Sequence, residues 1–219
     1  MNTFLAGKAI RNILLDLPVS EEDKEWISCN ATDSEDALSI LKDELAHWDL
    51  SIHAMAMDDA GNLIDPYGGQ QDLEEGLLRH TSPAFSSKPE NILSIAVTGA
   101  ELAHWGFRIA HGTYGLLKKM ASKGIQEQLT IEQKHSALTQ ALATERPAEF
   151  FRILHRCGAL RGISKEVNAL FDESDSHKNQ QLPELISMLN NKDLAIEEKL
   201  LKILEQDFGY QSSRNPAQE

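Results

Sequence analysis

Extended and helical patterns alternate over the first seventy residues, and after that the chain reads as helix almost throughout. Phe4-Leu5-Ala6-Gly7 is a short apolar run closed by a glycine turn, the signature of a strand. Residues 8–17 follow with Ile10, Ile13, Leu14 and Leu17 at helical spacing, and Pro18 ends that helix. Glu25-Trp26-Ile27-Ser28-Cys29 reads as a second strand. Thr32 and Glu35 make a capping-box pair ahead of Leu38, Leu41, Leu45 and Trp48, so 33–48 is expected to be a helix. A second helical run, 50–57, breaks at Asp58-Asp59-Ala60-Gly61, a turn leading into extended Asn62-Leu63-Ile64-Asp65.

Beyond this point helices are expected over 70–79, 90–103 and 112–122, with Pro83 and Pro89 marking a connection. Thr130 and Gln133 cap a helix reaching Ala143, and Pro147 opens another that Gly158 stops after Cys157. Residues 172–181 are strongly polar and read as a linker, followed by amphipathic helices over 182–189 and 194–208, the second capped by Asp193.

Charge divides the chain unevenly. Residues 1–75 carry 4 Lys/Arg against 17 Asp/Glu, so the whole net charge of −13 lies there. The remainder is neutral, which sets the two parts apart as partners for an anionic polymer. Two cysteines, Cys29 and Cys157, are too few for a disulfide framework or a cysteine-based zinc site. No spanning apolar run or signal-peptide pattern is present, so a cytoplasmic home without membrane attachment is expected.

Six motifs in order then carry a resemblance. Leu5-Ala6-Gly7-Lys8-Ala9-Ile10-Arg11-Asn12 resembles the LVGGAVRD opening of the class II tRNA nucleotidyltransferases, the CCA-adding enzymes and bacterial poly(A) polymerases. Asp23-Lys24-Glu25 stands where the family has its metal-binding D-x-D, and the stretch from His47 to Ala56 resembles RRDxxxNA. Asp65-Pro66-Tyr67-Gly68-Gly69, with Asp72-Leu73 and Leu78-Arg79-His80, is similar to the DPYGGxxDLxxxxLRH hinge. Leu102 to Ala110 resembles the neck, and Glu149 to Leu160 resembles the body helix FFxVLRxCGAL. The resemblance implies an α+β chain, mainly helical: a shortened nucleotidyltransferase-like head at 1–69, a helical neck at 70–125 and body helices at 126–171. The linker at 172–181 and C-terminal helices at 182–210 complete this expectation.

The chemistry implied by the family needs convergent carboxylates and two Mg²⁺ ions. Asp23 and Glu25, two apart on a strand, would face the same way and form the metal pair; otherwise they are solvated acids beside Glu21 and Glu22. A third carboxylate belongs on strands between the D-x-D and RRD motifs, and the 22 residues between Trp26 and Asp49 leave no room for them beside the 33–48 helix. Lys8 replaces the second glycine of the phosphate cradle, leaving Gly7, Lys8, Arg11 and Asp49 as the phosphate or nucleotide candidates, with Arg11 foremost. His47 and Trp48 replace the two arginines, and His53 the asparagine, of RRDxxxNA. In the base-reading ED-x-x-R stretch, Lys88 replaces the acid, and Asn91 and Ser94 replace the arginines.

Structural motifs are better kept. On the 148–157 helix Phe150, Phe151, Ile153, Leu154 and Cys157 form an apolar face. Arg152 and Arg156 stand opposite, with Arg146, Arg161 and Lys165 nearby, a stripe that either meets RNA phosphates or is a solvated face. The sequence thus points to a catalytically degenerate tRNA nucleotidyltransferase-like protein that binds tRNA, another RNA or a protein. Two alternatives stand beside this: an active enzyme of altered specificity using Mg²⁺ on Asp23 and Glu25, and an interaction module for a full-length relative.

Overall fold

In the computed structural model the described residues are 2–30, 34–171, 178–196, 198–200 and 202–203. Strand β1 (Asn2–Ala6) runs into helix α1 (Lys8–Leu14), a single 3-10 turn (Glu21–Asp23), strand β2 (Glu25–Cys29) and helix α2 (Ser34–Leu45). Strands β3 (Ala56–Met57) and β4 (Leu63–Ile64) form a hairpin, giving an antiparallel sheet in the order β2-β1-β3-β4. Among the described residues no strand lies between Cys29 and Ala56, as the short spacing implied.

Alternation along β1 sends Phe4 and Ala6 to one face, where they bury with Cys29, Ala37, Leu41 and Leu45 under α2. The buried line on α2 is therefore Ala37, Leu41 and Leu45, at i, i+4 and i+8. Leu38, expected in the core, is 45% exposed. Thr32, the expected cap, lies outside the described residues.

Three expectations are corrected. Residues 50–57 are not a helix: Leu50 to Ala56 are buried throughout, a pattern whose period decides nothing. Their backbone is claimed from outside, Ser51 N donating to Arg79 O at 2.9 Å and Ala56–Met57 pairing with β1. The helix expected over 70–79 is α3 (Gly69–Glu75), stopped at Gly76; Leu77–Leu78 then form β5, parallel to β6 (Arg108–Ile109). Residues 178–181 of the expected linker belong to helix α9 (Lys178–Asn190), while 172–177 lie outside the described residues.

The remaining helices are α4 (Asn91–Leu102), α5 (His111–Ser122), α6 (Ile131–Leu142), α7 (Ala148–Cys157) and α8 (Lys165–Leu170). Thr130 and Gln133 form the expected capping box on α6. Of the expected 194–208 helix, residues 196, 198–200 and 202–203 are helical, 194 and 195 are not, and the rest lie outside the described residues. One apolar core runs from Ile10, Leu50, Ile52 and Met55 of the head through α4 and α7 to α9. The fold is mainly helical α+β, and no helix among the described residues is long and apolar enough to cross a membrane.

The hinge motif explains how head and neck meet. Asp65 accepts from Gly69 N at 2.7 Å and Gln70 N at 2.9 Å, capping α3. A Cβ on Gly69 would lie 2.3 Å from Ser51 O, so only glycine permits this approach. Buried Asp72 accepts from Ser51 Oγ at 2.5 Å and from Arg79 Nε at 3.0 Å, tying the chain entering the hinge to the chain leaving it.

Candidate functional site

Where the family would place its nucleotide, this chain has a closed chain of polar side chains joining the head to α4. Arg11, on the first turns of α1, is fully buried. Its Nη2 and Nη1 donate to the two carboxylate oxygens of Glu101 at 2.7 and 3.1 Å, a bidentate pair. Its Nε and Nη2 also donate to Asn12 Oδ1 at 3.0 and 2.7 Å. Arg11 Nη1 lies 3.3 Å from His53 Nε2, and His53 Nδ1 lies 2.9 Å from Asp49 Oδ1. Because a guanidinium only donates, Nε2 accepts and the ring hydrogen sits on Nδ1, donated to Asp49. Asp49 Oδ1 further accepts from Leu50 N at 2.7 Å, and Oδ2 accepts from the Ser94 hydroxyl.

Electrostatics agree with this arrangement. Burial alone would raise the Asp49 carboxyl, yet the His53 ring, the Ser94 hydroxyl and Leu50 N–H together hold it well below the usual carboxylate range. Glu101 is likewise lowered: burial opposes ionisation, and the Arg11 hydrogen bonds and charge, with the charge of Lys8, overcome it. Arg11, expected at a phosphate, is thus turned inward with its donors committed. Glu101 carried a signal in the sequence, as the single charge within the apolar α4 segment, and its role emerges only from the fold.

The cradle itself is filled. Gly7 has φ 80° and ψ −143°, and a Cβ there would sit 2.4 Å from Cζ3 of Trp48. The indole that replaces an arginine of RRD therefore lies against the turn. A cleft of about 570 Å³ remains beside it, lined by Lys8, Trp48, Glu25, Glu90 and Glu132 among others. Four acidic residues, Asp49 among them, line it with one lysine, and Lys8 Nζ is itself 3.6 Å from Glu101 Oε2. An anionic triphosphate would enter a field of its own sign.

The metal pair does not assemble as expected. Asp23 is not on β2 but ends the preceding 3-10 turn, where its carboxylate accepts from Ser20 N at 2.9 Å and Ser20 Oγ at 2.7 Å. Slight burial works against ionisation there, and the Ser20 bonds with the charges of Lys8 and Arg11 lower its pKa. Glu25 starts β2 and is exposed. No group of three or more His, Cys, Asp or Glu among the described residues is arranged to hold a metal ion. These residues do not fit a Mg²⁺ pair.

The base-reading positions are also spent within the fold. Lys88 Nζ donates to His47 O at 3.2 Å, Asn91 Nδ2 donates to Phe85 O at 2.9 Å, and Ser94 serves Asp49.

The body cations fall around α7. Arg152 lies 3.6 Å from Glu149, its neighbour one turn back, while Arg156 is exposed. Arg146 precedes α7, Arg161 lies in the 3-10 turn Leu160–Gly162, and Lys165 opens α8; all three are exposed. Sequence reading missed their companions. Arg108 and Arg156 line a cleft of about 370 Å³ with Tyr114. Tyr114 donates its hydroxyl to Arg156 O at 2.6 Å, and Lys118 Nζ sits 4.8 Å from the centre of its ring. The Tyr114/Lys118 spacing, i and i+4 on one helix, was the available signal.

A small antiparallel head joined through a capped hinge to a helical neck and body is a fold shared with solved structures of CCA-adding and tRNA-processing enzymes. The fold superimposes on a CCA-adding enzyme in complex with CTP with a TM-score of 0.73, 18% identity, and coverage of 97% of this chain and 60% of that one. A tRNA-processing enzyme with CTP gives 0.70, 20% identity, and 93% and 66% coverage. The Thermotoga maritima CCA-adding enzyme complexed with tRNA gives 0.67, 19% identity, and 97% and 59% coverage. The chain therefore spans about three fifths of the length of these structures. Residues 3–79 match the family model of the Poly A polymerase head domain.

Proposed function

We propose that this protein is a catalytically degenerate tRNA nucleotidyltransferase-like protein that binds RNA through its body and does not add CCA. The observation that carries the reading is the closed chain Ser94–Asp49–His53–Arg11–Glu101, in which phosphate- and nucleotide-binding positions serve to join head and neck. Nucleotidyl transfer needs groups preorganised toward charge that develops on the transferring phosphoryl. Here Arg11 is held by Glu101, the cradle is covered by Trp48, and Asp23 caps a turn. Removing one preorganised charge-stabilising group typically costs about 100- to 1,000-fold in rate. Such losses do not multiply at one site, yet separate requirements are affected: metal at Asp23, phosphate at Arg11 and Gly7, and base at Lys88, Asn91 and Ser94.

RNA binding is supported by the exposed cations on and around α7 together with Tyr114, whose ring adds a stacking surface beside Arg108, Lys118 and Arg156. The acidic head weakens this attraction at a distance, so binding is steeply salt-dependent. The test is incubation of the purified protein with labelled CTP and ATP, Mg²⁺ and a tRNA lacking its 3′ CCA, alongside a gel shift of the same tRNA. Retarded tRNA with no extension is expected. Ordered addition of C, C and A, abolished by Asp23→Ala, overturns the proposal.

A further inference from the structure

The head sheet ends in an unguarded strand. Gly7 N donates to Met55 O at 3.2 Å, so residues 5 and 7 turn their backbone groups toward β3, and 2, 4 and 6 turn theirs toward β2. By the β1–β2 register, Glu25, Ile27 and Cys29 face β1. The N–H and C=O of Trp26 and Ser28 therefore point away from the sheet, and no strand covers them among the described residues. Edge strands are commonly blunted by a lysine, a proline or a bulge. Within β2 there is no Lys and no Pro, and its five residues pair with β1 without interruption. Trp26 is 62% exposed, the largest apolar side chain left open on the head, and it rims a cleft of about 730 Å³ with Leu5, Met57 and Leu38.

Charge decides what suits this edge. Residues 1–75 carry 17 acidic residues against 4 basic ones, with Glu21, Glu22 and Asp23 directly before β2 and Asp58 and Asp59 at the rim of the cleft. A second copy would bring an equally acidic head against this one, and an RNA would meet the same repulsion. We propose that β2 is a docking edge for an extended, Lys/Arg-rich segment of another protein, which adds antiparallel or parallel to Trp26 and Ser28 as a fifth strand of the sheet. Backbone bonds to Trp26 and Ser28 fix its register. Its apolar side chain opposite Trp26 packs on the indole beside the cleft, and its basic side chains on the alternate positions meet the acidic head. This surface is separate from the α7 cations and does not depend on how RNA is bound.

The test uses the full chain with a capped peptide of alternating Lys and Val, its Glu/Val counterpart, and a Lys/Val peptide N-methylated at alternate residues. The Lys/Val peptide is expected to bind, to slow amide exchange at Trp26 and Ser28, and to weaken as salt is raised. The Glu/Val and N-methylated peptides are expected to bind at least about tenfold more weakly, a difference within reach of one or two backbone bonds. Ser28→Pro keeps the fold, since that N–H faces outward, and is expected to cut Lys/Val binding about tenfold; a melting curve checks the fold independently. Equal binding of all three peptides, or protection elsewhere than β2, overturns the proposal. So does concentration-dependent self-association of the parent that Ser28→Pro abolishes, which assigns the edge to a second copy.

Discussion

The head and the body keep themselves together in different ways. Under α2 the head has a separate small cluster of eight buried residues, four of them alanines, whereas the larger core that runs from Ile10, Leu50, Ile52 and Met55 of the head to α9 is built mostly of larger apolar side chains. Per residue buried, alanines remove far less apolar surface from water than leucines or phenylalanines. What the head lacks in apolar packing it supplements by polar attachment: Arg11 to Glu101, Asp49 to Ser94, and Ser82 Oγ donating to Ala46 O at 2.7 Å. The comparison teaches that Arg11 and Asp49, which stand in the resembled motifs, are built into the attachment of the head to α4.

The largest effect expected from this contrast comes from breaking the attachment. Arg11→Met leaves Glu101 and Asn12 without their partner in a site where Glu101 is 30% exposed, and removing one member of a buried pair costs about 3–5 kcal/mol. A fall of roughly 6–20 °C in Tm is expected by calorimetry for a domain of this size. A body substitution of similar bulk on the exposed face, such as Arg161→Met, is expected to change Tm by less than about 1 °C.

Acid should separate the regions next. Glu101 and Asp49 both have folded pKa values below their ordinary 4.5 and 3.8, so the unfolded chain binds more protons as pH falls. Their contribution is complete above pH 4.5, declines as pH drops below it and is lost through the lower folded values. Urea melts between pH 6 and pH 3 are expected to show this decline, and Glu101→Gln, already destabilised at pH 6, is expected to lose less over the same range. His80 acts at higher pH: burial and Arg79 lower its pKa below 6.5, and its Nδ1 lies 2.8 Å from the buried Thr113 hydroxyl. Its share is present above pH 6.5 and lost as pH falls through the folded value, so His80→Gln is expected to flatten stability between pH 7 and pH 5.

On the body side, converting both Arg152 and Arg156 to Ala is expected to weaken tRNA binding and lower the salt slope by about 2, with Tm nearly unchanged. The same readout with Arg108→Ala or Lys118→Ala, at the cleft beside Tyr114, is expected to give the smallest of these losses, a slope change of about 1. Unchanged affinity in the Arg152/Arg156 pair would move the contact surface elsewhere.

Much of the scaffold was legible because its signals are local. The α6 capping box, the Gly158 stop of α7 and the Asp65 cap on α3 all act within a few residues of themselves. Where the outcome was set by distant partners, the sequence misled. Leu50 to Ala56 is buried at every position and becomes turn and strand because β1 and the Arg79 segment claim its backbone. Arg11 keeps the family's residue and spacing, and only the approach of Glu101, ninety residues on, turns it from phosphate to neck. Trp48 and Lys88 read as losses in sequence; the structure adds that each fills or bonds the space it vacated functionally.

The decisive measurement is a thermal melt of the parent and of Arg11→Met, each with and without 1 mM CTP or ATP and Mg²⁺. If Arg11 serves the fold, the parent's Tm is unmoved by nucleotide and the variant melts well below it under every condition. A parent Tm raised by CTP or ATP, with a variant of unchanged intrinsic stability that no longer responds, would contradict this and return Arg11 to a phosphate.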